Sequence, residues 1–481
     1  MSLWRTKSIE FLEAEANAGP EKLERSLGAW SLILLGIGAV IGAGLFSITG
    51  IAAAQNAGPA IVLSFLIAAV GCTFSGLCFS ELAAMIPISG GAYSYTYATM
   101  GEFIAWMIGW ALILEYAMGA ALVSISWSAY MISFLQDFGI HFPTALTASA
   151  WQTTTLPDGS EVHGIINLPP LIIICLISTL LILGVDKSAK VNAVLVAIKV
   201  AVVLIFIGLG FHYIQESHYI PFIPPNTGVF GEFGWSGVFR AAGIVFLAYV
   251  GFDAVSTVAQ EVKRPQRNLP IGIIGSLLIC TILFVLFSLV LVGLVHYTDL
   301  NVAAPVAAAI NQTPYLWLNG LIKCAIIAGL TSVMLVLLLG QSRIFFTMSK
   351  DGLLPPCFSI VHHRFHTPWV ASGVLMLVVG LFAAFAPLSL VGHLTSIGTL
   401  LAFAIVCGSV LVLRKTRPEL KRPFRTPWVP LIPLLGIATC LLLMLSLGWA
   451  TWLRLGVWLL IGLCIYFFYG KSHSHLAGIK E

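Results

Sequence analysis

Three ionisable residues, Glu115, Lys199 and Asp253, lie inside long apolar stretches of this 481-residue chain. At a helical rise of about 1.5 Å per residue, Lys199 lies about 13 Å from Lys190 and Asp253 lies about 15 Å from Lys263. Glu115 falls near the middle of its own stretch. Because ionisable groups at this depth in apolar surroundings are costly, each of the three is a candidate functional residue.

The chemistry open to these residues differs. A lysine in low-dielectric surroundings can lose and regain a proton, and this property favours a proton-coupling role for Lys199. Glu115 and Asp253 leave two interpretations open: they contact a substrate, or they are buried, hydrogen-bonded struts that cap interrupted backbone. No nucleophile–base pair or metal-ligand cluster accompanies them, so we expect no enzyme activity, no cofactor and no metal site.

The stretch GIGAVIGAGLFSITG, residues 36–50, has glycines spaced almost as in a nucleotide-binding loop. A dinucleotide fingerprint places them between a strand and a helix, with an acidic residue about 20 positions later. Here apolar sequence lies on both sides, and no Asp or Glu follows until Glu81. The context therefore excludes a nucleotide site, and Gly36 and Gly38 are interpreted as helix-packing residues.

Gly42, Ala43 and Gly44 put small residues at the middle of the same stretch, which favours an interrupted helix. An interruption leaves backbone N–H and C=O groups unpaired, and lipid penalises each by several kcal/mol. A break is therefore tolerated only where it lines a cavity. These three residues predict a break that approaches a ligand with bare backbone.

The composition predicts an integral membrane protein. Hydrophobic residues make up 59% of the chain and charged residues 9%, against about 25% charged in an ordinary soluble domain. A helix needs about 20 apolar residues to cross the bilayer core. Twelve segments, named span 1 to span 12, meet this need, near residues 30–53, 58–82, 98–134, 168–185, 190–213, 237–259, 270–296, 316–347, 368–387, 391–413, 428–448 and 451–469.

The basic residues divide unevenly between the two faces of this membrane protein. With the N-terminus inside, all of the 24 Lys and Arg except Lys199, Arg240, Lys323 and Arg454 fall at one face. Lys and Arg accumulate on the cytoplasmic side of membranes. We therefore expect a plasma-membrane protein with both termini cytoplasmic, and we interpret the net charge of +4 as a topology signal rather than a nucleic-acid footprint.

Span 6 supplies a second candidate break in VFLAYVGFDAV, where residues 248–251 precede Asp253. Interrupted helices at matching places are typical of transporters built from inverted repeats. Breaks in spans 1 and 6 divide the first ten spans into two halves. The predicted division is a tail at 1–26, a first repeat at 27–213, a second repeat at 236–413, spans 11 and 12 at 428–470, and a tail at 471–481.

Four motifs are more specific than the glycine stretch: IGAVIGAGLF, FSELAAMIPISGGAYSYTYATMGEFIAWMIGWALILEYA, FDAVSTVAQEVKRPQRNLPIGI and SRIFFTMSKDGLLP. On these, the chain resembles the amino acid-polyamine-organocation superfamily, and within it the cationic amino acid transporter family in its twelve-span bacterial form. The resemblance covers about residues 27 to 470. It departs at Gln260, beside Glu261, where a second acidic residue is expected.

The resemblance implies an all-α membrane fold of twelve helices, with a 5+5 inverted repeat, broken spans 1 and 6 and two extra C-terminal helices. The substrate amino acid would lie between the two breaks, with its carboxylate on N–H groups near Ala43 and Gly44 and its ammonium on nearby carbonyls. The backbone positions expected to line the substrate are Val40, Ile41, Gly42, Ala43, Gly44, Phe246, Leu247, Ala248 and Val250.

In proton-coupled relatives, a lysine on span 5 puts its ammonium where sodium-coupled relatives hold a sodium ion, between spans 1 and 8. Lys199 occupies the matching stretch. The resemblance then implies Thr331 and Ser332 on span 8 as hydroxyl partners. We expect protonated Lys199 to hold span 1 against span 8, and its deprotonation to loosen that contact.

The expected function is secondary active transport of L-amino acids by alternating access, in symport with protons. The alternative is facilitated transport or exchange of cationic amino acids without strict proton coupling. A sodium symporter is disfavoured, because the Lys199 cation would repel sodium. A channel or receptor is disfavoured because the sequence has no filter motif or signalling domain. The expected partners are the amino acid, the proton and membrane lipid; the oligomeric state and the side-chain preference are left open.

Overall fold

The computed structural model describes residues 5–7, 27–87, 91–155, 161–184, 189–259, 262–302, 304–314, 316–365 and 367–475. Gln260 and Glu261 lie outside the described residues, as do the final residues 476–481. Of the predicted tail at 1–26, only residues 5–7 are described.

The described chain is almost entirely helical, and it contains the twelve predicted spans. Eight helices are long and apolar enough to cross a membrane, and four shorter apolar helices complete the set. The observed bounds are Ala29–Val40 and 44–57 for span 1, then Ile61–Met85, Glu102–Gln136, Leu168–Ile182, Ala189–Gly210, Gly234–Val245 with 246–257 for span 6, Pro265–Leu294, Leu316–Lys350, Trp369–Phe385, Leu388–Thr416, Leu431–Ser446 and Trp449–Ile465.

The two halves repeat the same order of elements. Spans 1 and 6 are each interrupted, and spans 3 and 8 are each 35 residues long. A short helix, Gly91–Thr99, precedes span 3, and another, Pro305–Ile310, precedes span 8. These two short helices were not predicted, because neither is long enough to read as a span. The repeat bounds at 27–213 and 236–413 stay a prediction.

Spans 3, 8 and 10 form the centre of the bundle. Span 3 packs along spans 8 and 10, and the most apolar part of span 3 is completely buried within the protein. Spans 1 and 2 pack instead against span 7. The two interrupted helices therefore lie beside a rigid scaffold of long helices.

Both chain ends lie at one face of the bundle, which we call the tail face. The backbone N–H of Glu102, at the start of span 3, donates to Arg5 O at 2.9 Å. Ser474 Oγ donates to the Glu102 carboxylate at 2.5 Å. At the opposite face, the connection between spans 3 and 4 carries a small hairpin of Thr153–Thr155 with Glu161–His163. The tail face thus contains both ends of the described chain.

Candidate functional site

Span 1 is interrupted between Val40 and Gly44. Ile41 is extended, with φ −73° and ψ 102°, and a second helical part starts at Gly44. Within the described chain, the N–H groups of residues 42–44 donate to no acceptor, as expected where a helix is cut. The break therefore begins at Ile41, one residue before the predicted glycines, and Gly44 already belongs to the next helix.

Span 6 is interrupted at Val250 and Gly251, as predicted. Val250 is extended, with ψ 131°, and Gly251 has a φ of +116°, which glycine adopts without steric cost. Asp253 Oδ1 accepts a hydrogen bond from the Gly251 N–H at 3.2 Å. The Asp253 side chain therefore caps the interrupted backbone, and its contact with a substrate stays a prediction.

The two breaks approach each other through bare backbone. A Cβ on Gly44 would lie 2.5 Å from the Ala248 Cα, and one on Gly251 would lie 2.9 Å from the Ala39 carbonyl carbon. Real Cβ atoms do not come so close to backbone atoms. Only glycine at these two positions lets spans 1 and 6 touch at their interruptions.

Gly36 and Gly38 serve helix packing. A Cβ on Gly36 would collide with Ser276 of span 7, and one on Gly38 would collide with Val196 of span 5. Small residues at such places let helices approach closely.

A small enclosed cavity lies between the breaks and the long helices. Its volume is about 10 Å³, which is about the size that holds one water molecule. An amino acid is several times larger, so spans must separate before one enters. The cavity is lined by Ala39 of span 1, Tyr116 of span 3, Val250, Gly251, Asp253 and Ala254 of span 6, and Val333, Val336 and Leu337 of span 8.

Only some of the predicted substrate positions lie at this cavity. Val250 lines it directly, and the Cβ position of Gly42 would lie 3.5 Å from the Val333 side chain. The Leu247 carbonyl accepts the Val250 N–H at 3.1 Å. Phe246 points its ring at Phe403 of span 10, with 5.7 Å between ring centroids. The side chain of Phe246 therefore belongs to the core rather than to the cavity.

Sequence reasoning missed the contributions of spans 3 and 8. Tyr116, Val333, Val336 and Leu337 line the cavity, and nothing in the sequence distinguishes them from the other apolar residues of their helices. Tyr116 follows directly on Glu115, which was the one available signal.

Lys199 is almost completely buried, at 1% exposure, and its ammonium donates to the Gly38 carbonyl at 2.7 Å. In a continuous helix that carbonyl would accept the N–H of Gly42, which lies in the break. The lysine from span 5 thus replaces a missing backbone donor of span 1. Its aliphatic stem passes span 8 at Gly329, where a Cβ would lie 2.9 Å from Lys199 Cγ.

The expected hydroxyl partners do not pair with Lys199 within the part of the chain that the structure describes. Thr331 Oγ1 donates to the Ile327 carbonyl and accepts the Trp127 indole N–H at 3.0 Å. Ser332 Oγ donates to the Gly329 carbonyl. Both hydroxyls are therefore hydrogen-bonded to groups other than Lys199. The lysine contacts span 8 only by packing against Gly329.

Glu115 differs from Asp253 in its surroundings. It is 1% exposed, and neither carboxylate oxygen has a hydrogen-bond partner among the described residues. Asp253 is close enough to interact with it electrostatically. Span 10 packs against the same turn, since a Cβ on Gly398 would lie 3.7 Å from the Glu115 N. The Thr399 hydroxyl of span 10 lies near this carboxyl, and both interpretations of Glu115 stay predictions.

A polar network closes the tail face. Lys7 Nζ lies 2.6 Å from Asp351 Oδ1, and the Tyr93 hydroxyl donates to Asp351 Oδ2 at 2.7 Å. The Tyr97 hydroxyl donates to the Glu102 carboxylate at 3.2 Å. Burial raises the pKa of both tyrosines well above the usual value, so their hydroxyls remain donors.

Hydrogen bonds also join helices on the side of the bundle away from the tail face. The Tyr130 hydroxyl of span 3 donates to the Phe46 carbonyl of span 1 at 2.5 Å, and it accepts the Val306 N–H at 3.4 Å. Val306 belongs to the short helix before span 8. Tyr130 therefore joins span 1 and the short helix before span 8 to span 3.

Comparison with known proteins gives the family of this chain. A family model described as amino acid permease matches residues 27–467. The branched-chain amino acid permease BcaP of Bacillus subtilis (strain 168) is 44% identical over 476 residues, with 99% of each chain covered. The methylthioribose transporter of the same strain is 42% identical over 475 residues, also with 99% of each chain covered.

A plant relative extends the comparison. Cationic amino acid transporter 4, vacuolar, of Arabidopsis thaliana is 36% identical over 421 residues, which cover 87% of this chain and 68% of that protein. The family match and these relatives agree with the twelve-span fold and its paired helix breaks. The chain belongs to the amino acid permease family of the amino acid-polyamine-organocation superfamily, and it is a multi-pass membrane transporter rather than an enzyme.

Proposed function

We infer that this transporter moves neutral L-amino acids across the plasma membrane in symport with protons, by alternating access at the cavity between spans 1 and 6. One observation carries the proposal: the break in span 1 leaves the N–H groups of residues 42–44 unpaired, and Ala39 before that break lines the same cavity as Val250 and Gly251 of the break in span 6. Groups of this kind suit a carboxylate, since backbone donors at a helix start carry partial positive charge.

The amino group of the substrate requires acceptors on the other side of the cavity. The Asp253 carboxylate lines the cavity, where it also accepts the hydrogen bond from the Gly251 N–H, and we assign the ammonium of the substrate to it. Carbonyls near Val40 and Val250 are the remaining acceptors in this proposal. A zwitterionic α-amino acid offers both charges at the spacing that two facing backbone breaks require.

The lining favours an aliphatic side chain. Ala39, Ala254, Val333, Val336 and Leu337 contribute only methyl and methylene groups. Burying each methylene of a substrate against such surfaces is worth about 0.8 kcal/mol. This supports branched-chain substrates, and the relative at 44% identity is named a branched-chain amino acid permease.

Lys199 is the coupling residue in this proposal. A protonated ammonium holds the Gly38 carbonyl and so fixes the break in span 1. Loss of the proton weakens this contact, because a neutral amine is a poorer donor than an ammonium. Proton transfer at Lys199 would then change the position of span 1 during the cycle.

The side of the membrane follows from the charge distribution. The tail face contains Lys7, Arg343 and Lys350 together with the basic loop after span 10. We therefore assign the tail face to the cytoplasm. The plasma membrane of a bacterial cell fits the two relatives from Bacillus subtilis.

Uptake of labelled L-valine into proteoliposomes, with and without an inward proton gradient, tests the proposal. We expect concentrative uptake only with the gradient and without sodium, and competition by leucine and isoleucine but not by arginine. Competition by arginine alone, with exchange that ignores the gradient, would support the cationic alternative. Competition by methylthioribose alone would assign the thiosugar named for the relative at 42% identity.

A further inference from the structure

Three basic side chains meet near the face opposite the tails. They are Arg240 of span 6, His393 of span 10 and Arg454 of span 12, and His393 is close enough to interact electrostatically with both arginines. Among the described residues, no carboxylate lies within ion-pair distance of either arginine. We call these three residues the basic cluster. Its positive charge is that of the two arginines, which have no counter-ion among the described residues.

Another cation at the same face shows the contrast. Lys323 Nζ lies 2.7 and 2.9 Å from the two oxygens of Asp137 and 3.2 Å from the Ser133 carbonyl. That lysine, at 2% exposure, is fully neutralised by the protein. The basic cluster lacks such a partner, so its counter-charge must come from outside the described chain.

The surroundings of Arg240 add to the positive potential. Its Nη1 donates to the Phe230 carbonyl at 3.2 Å, whereas its buried Nε has no partner in the described structure. Its Nη2 lies 4.0 Å from the Cβ position of Gly448. Gly448 directly precedes the first helical residue of span 12, so unpaired N–H groups of that helix start lie beside the guanidinium.

The basic cluster lies at the depth of a lipid boundary. Arg240 is six residues into span 6 and Arg454 is five residues into span 12, which corresponds to about 9 and 7.5 Å below the helix ends. Arg454 is exposed between Leu453 and Val457, which are 58% and 51% exposed. Exposed leucine and valine on a membrane span face lipid tails, so the exposed arginine also faces lipid.

We propose that the basic cluster binds the phosphodiester of an anionic phospholipid from the leaflet at that face. Guanidinium groups bind phosphate oxygens with paired, charge-assisted hydrogen bonds. The apolar surface below Arg454 accommodates an acyl chain, which a free phosphate ion does not have. A bound lipid joins the first half of span 6 to spans 10 and 12.

Thermal unfolding of the purified full-length transporter in detergent tests this site. Added phosphatidylglycerol is expected to raise the Tm, whereas phosphatidylcholine and soluble glycerol 3-phosphate are not. The apparent affinity for phosphatidylglycerol should fall about tenfold in Arg454→Gln and further in the double variant with Arg240→Gln. Arg267→Gln removes an exposed arginine at the tail face, and it should keep the wild-type response.

Equal stabilisation of wild type and both variants by phosphatidylglycerol would overturn the proposal. The same holds if glycerol 3-phosphate alone reproduces the shift, because the ligand would then be a soluble phosphate. An equal effect of phosphatidylcholine would also overturn it, because the shift would then come from bulk lipid. Arg454 is exposed, so the single variant keeps the test valid if the Arg240 variant does not fold.

Discussion

The interruptions of spans 1 and 6 occupy matching places in the two halves, but their open backbone groups are satisfied differently. In span 6, Asp253 caps the Gly251 N–H from two residues away along the same chain. In span 1, the Gly38 carbonyl receives the ammonium of Lys199 from another helix. The first solution is local and static. The second connects the break to a lysine on another helix, which we propose as the proton-coupling group.

The close contact between the breaks of spans 1 and 6 predicts the largest effect on uptake. In Gly44→Ala, the new Cβ would lie 2.5 Å from the Ala248 backbone, so spans 1 and 6 must separate. We expect uptake to fall by about tenfold or more, equivalent to about 1.4 kcal/mol. Labelled valine uptake in proteoliposomes measures it.

Gly208→Ala is the matched control, because nothing lies within 4 Å of its Cβ position on span 5. Alanine also has the higher helix propensity. Equal uptake by the two variants would contradict close contact between the breaks.

Lys199, the proposed coupling residue, predicts the next largest effect on uptake. Lys199→Met retains the length of the side chain but leaves the Gly38 carbonyl unpaired, at a cost of about 1–3 kcal/mol. We expect loss of accumulation driven by the proton gradient, with exchange of internal and external valine retained. Gradient-driven uptake and counterflow measure the two activities.

Lys323→Met is the control for a buried lysine, because Lys323 pairs with Asp137 away from the breaks. It should lower the Tm without changing the dependence on the gradient. Full gradient-driven uptake by Lys199→Met would remove the coupling role.

The capping of the span 6 break by Asp253 predicts a smaller effect. This effect is on the Tm, and it differs between two substitutions of Asp253. Asp253→Asn keeps an oxygen acceptor for the Gly251 N–H, whereas Asp253→Ala leaves that donor unpaired at about 1–3 kcal/mol. We expect a lower Tm only for the alanine variant. If both variants unfold at the same lower temperature, the charge of Asp253 matters rather than its cap.

The smallest effect is expected at Thr331. Thr331→Val removes the acceptor for the Trp127 indole N–H, which costs about 0.5–1.5 kcal/mol. Proton coupling should remain, because Lys199 binds Gly38 and not this hydroxyl. Loss of gradient-driven uptake comparable to that of Lys199→Met would restore Thr331 as its partner.

The sequence predicted the two breaks because their signal is local. Small residues at 42–44, and Gly251 shortly before Asp253, indicate interruption within apolar segments without any tertiary information. The depth of Lys199 likewise follows from counting residues. The family fold was predictable for the same reason, since apolar lengths and four motifs are properties of the chain itself.

The partner of Lys199 was not predictable from the sequence. The break begins at Ile41, which leaves the Gly38 carbonyl without its usual donor, and only the packing of span 5 against span 1 brings the lysine there. Val333 and Leu337 escaped prediction because aliphatic residues of a membrane helix look alike whether they face a cavity, a helix or lipid. The surroundings of Glu115 were not predictable either, because they depend on how spans 6 and 10 pack against span 3.

The internal pH of proteoliposomes should be recorded when L-valine is added outside. This measurement tests most directly whether the span 1 break is coupled to proton movement. The wild type should acidify the interior as valine enters. Lys199→Met should exchange valine without acidification. Equal acidification by both proteins would contradict the assignment of proton coupling to Lys199.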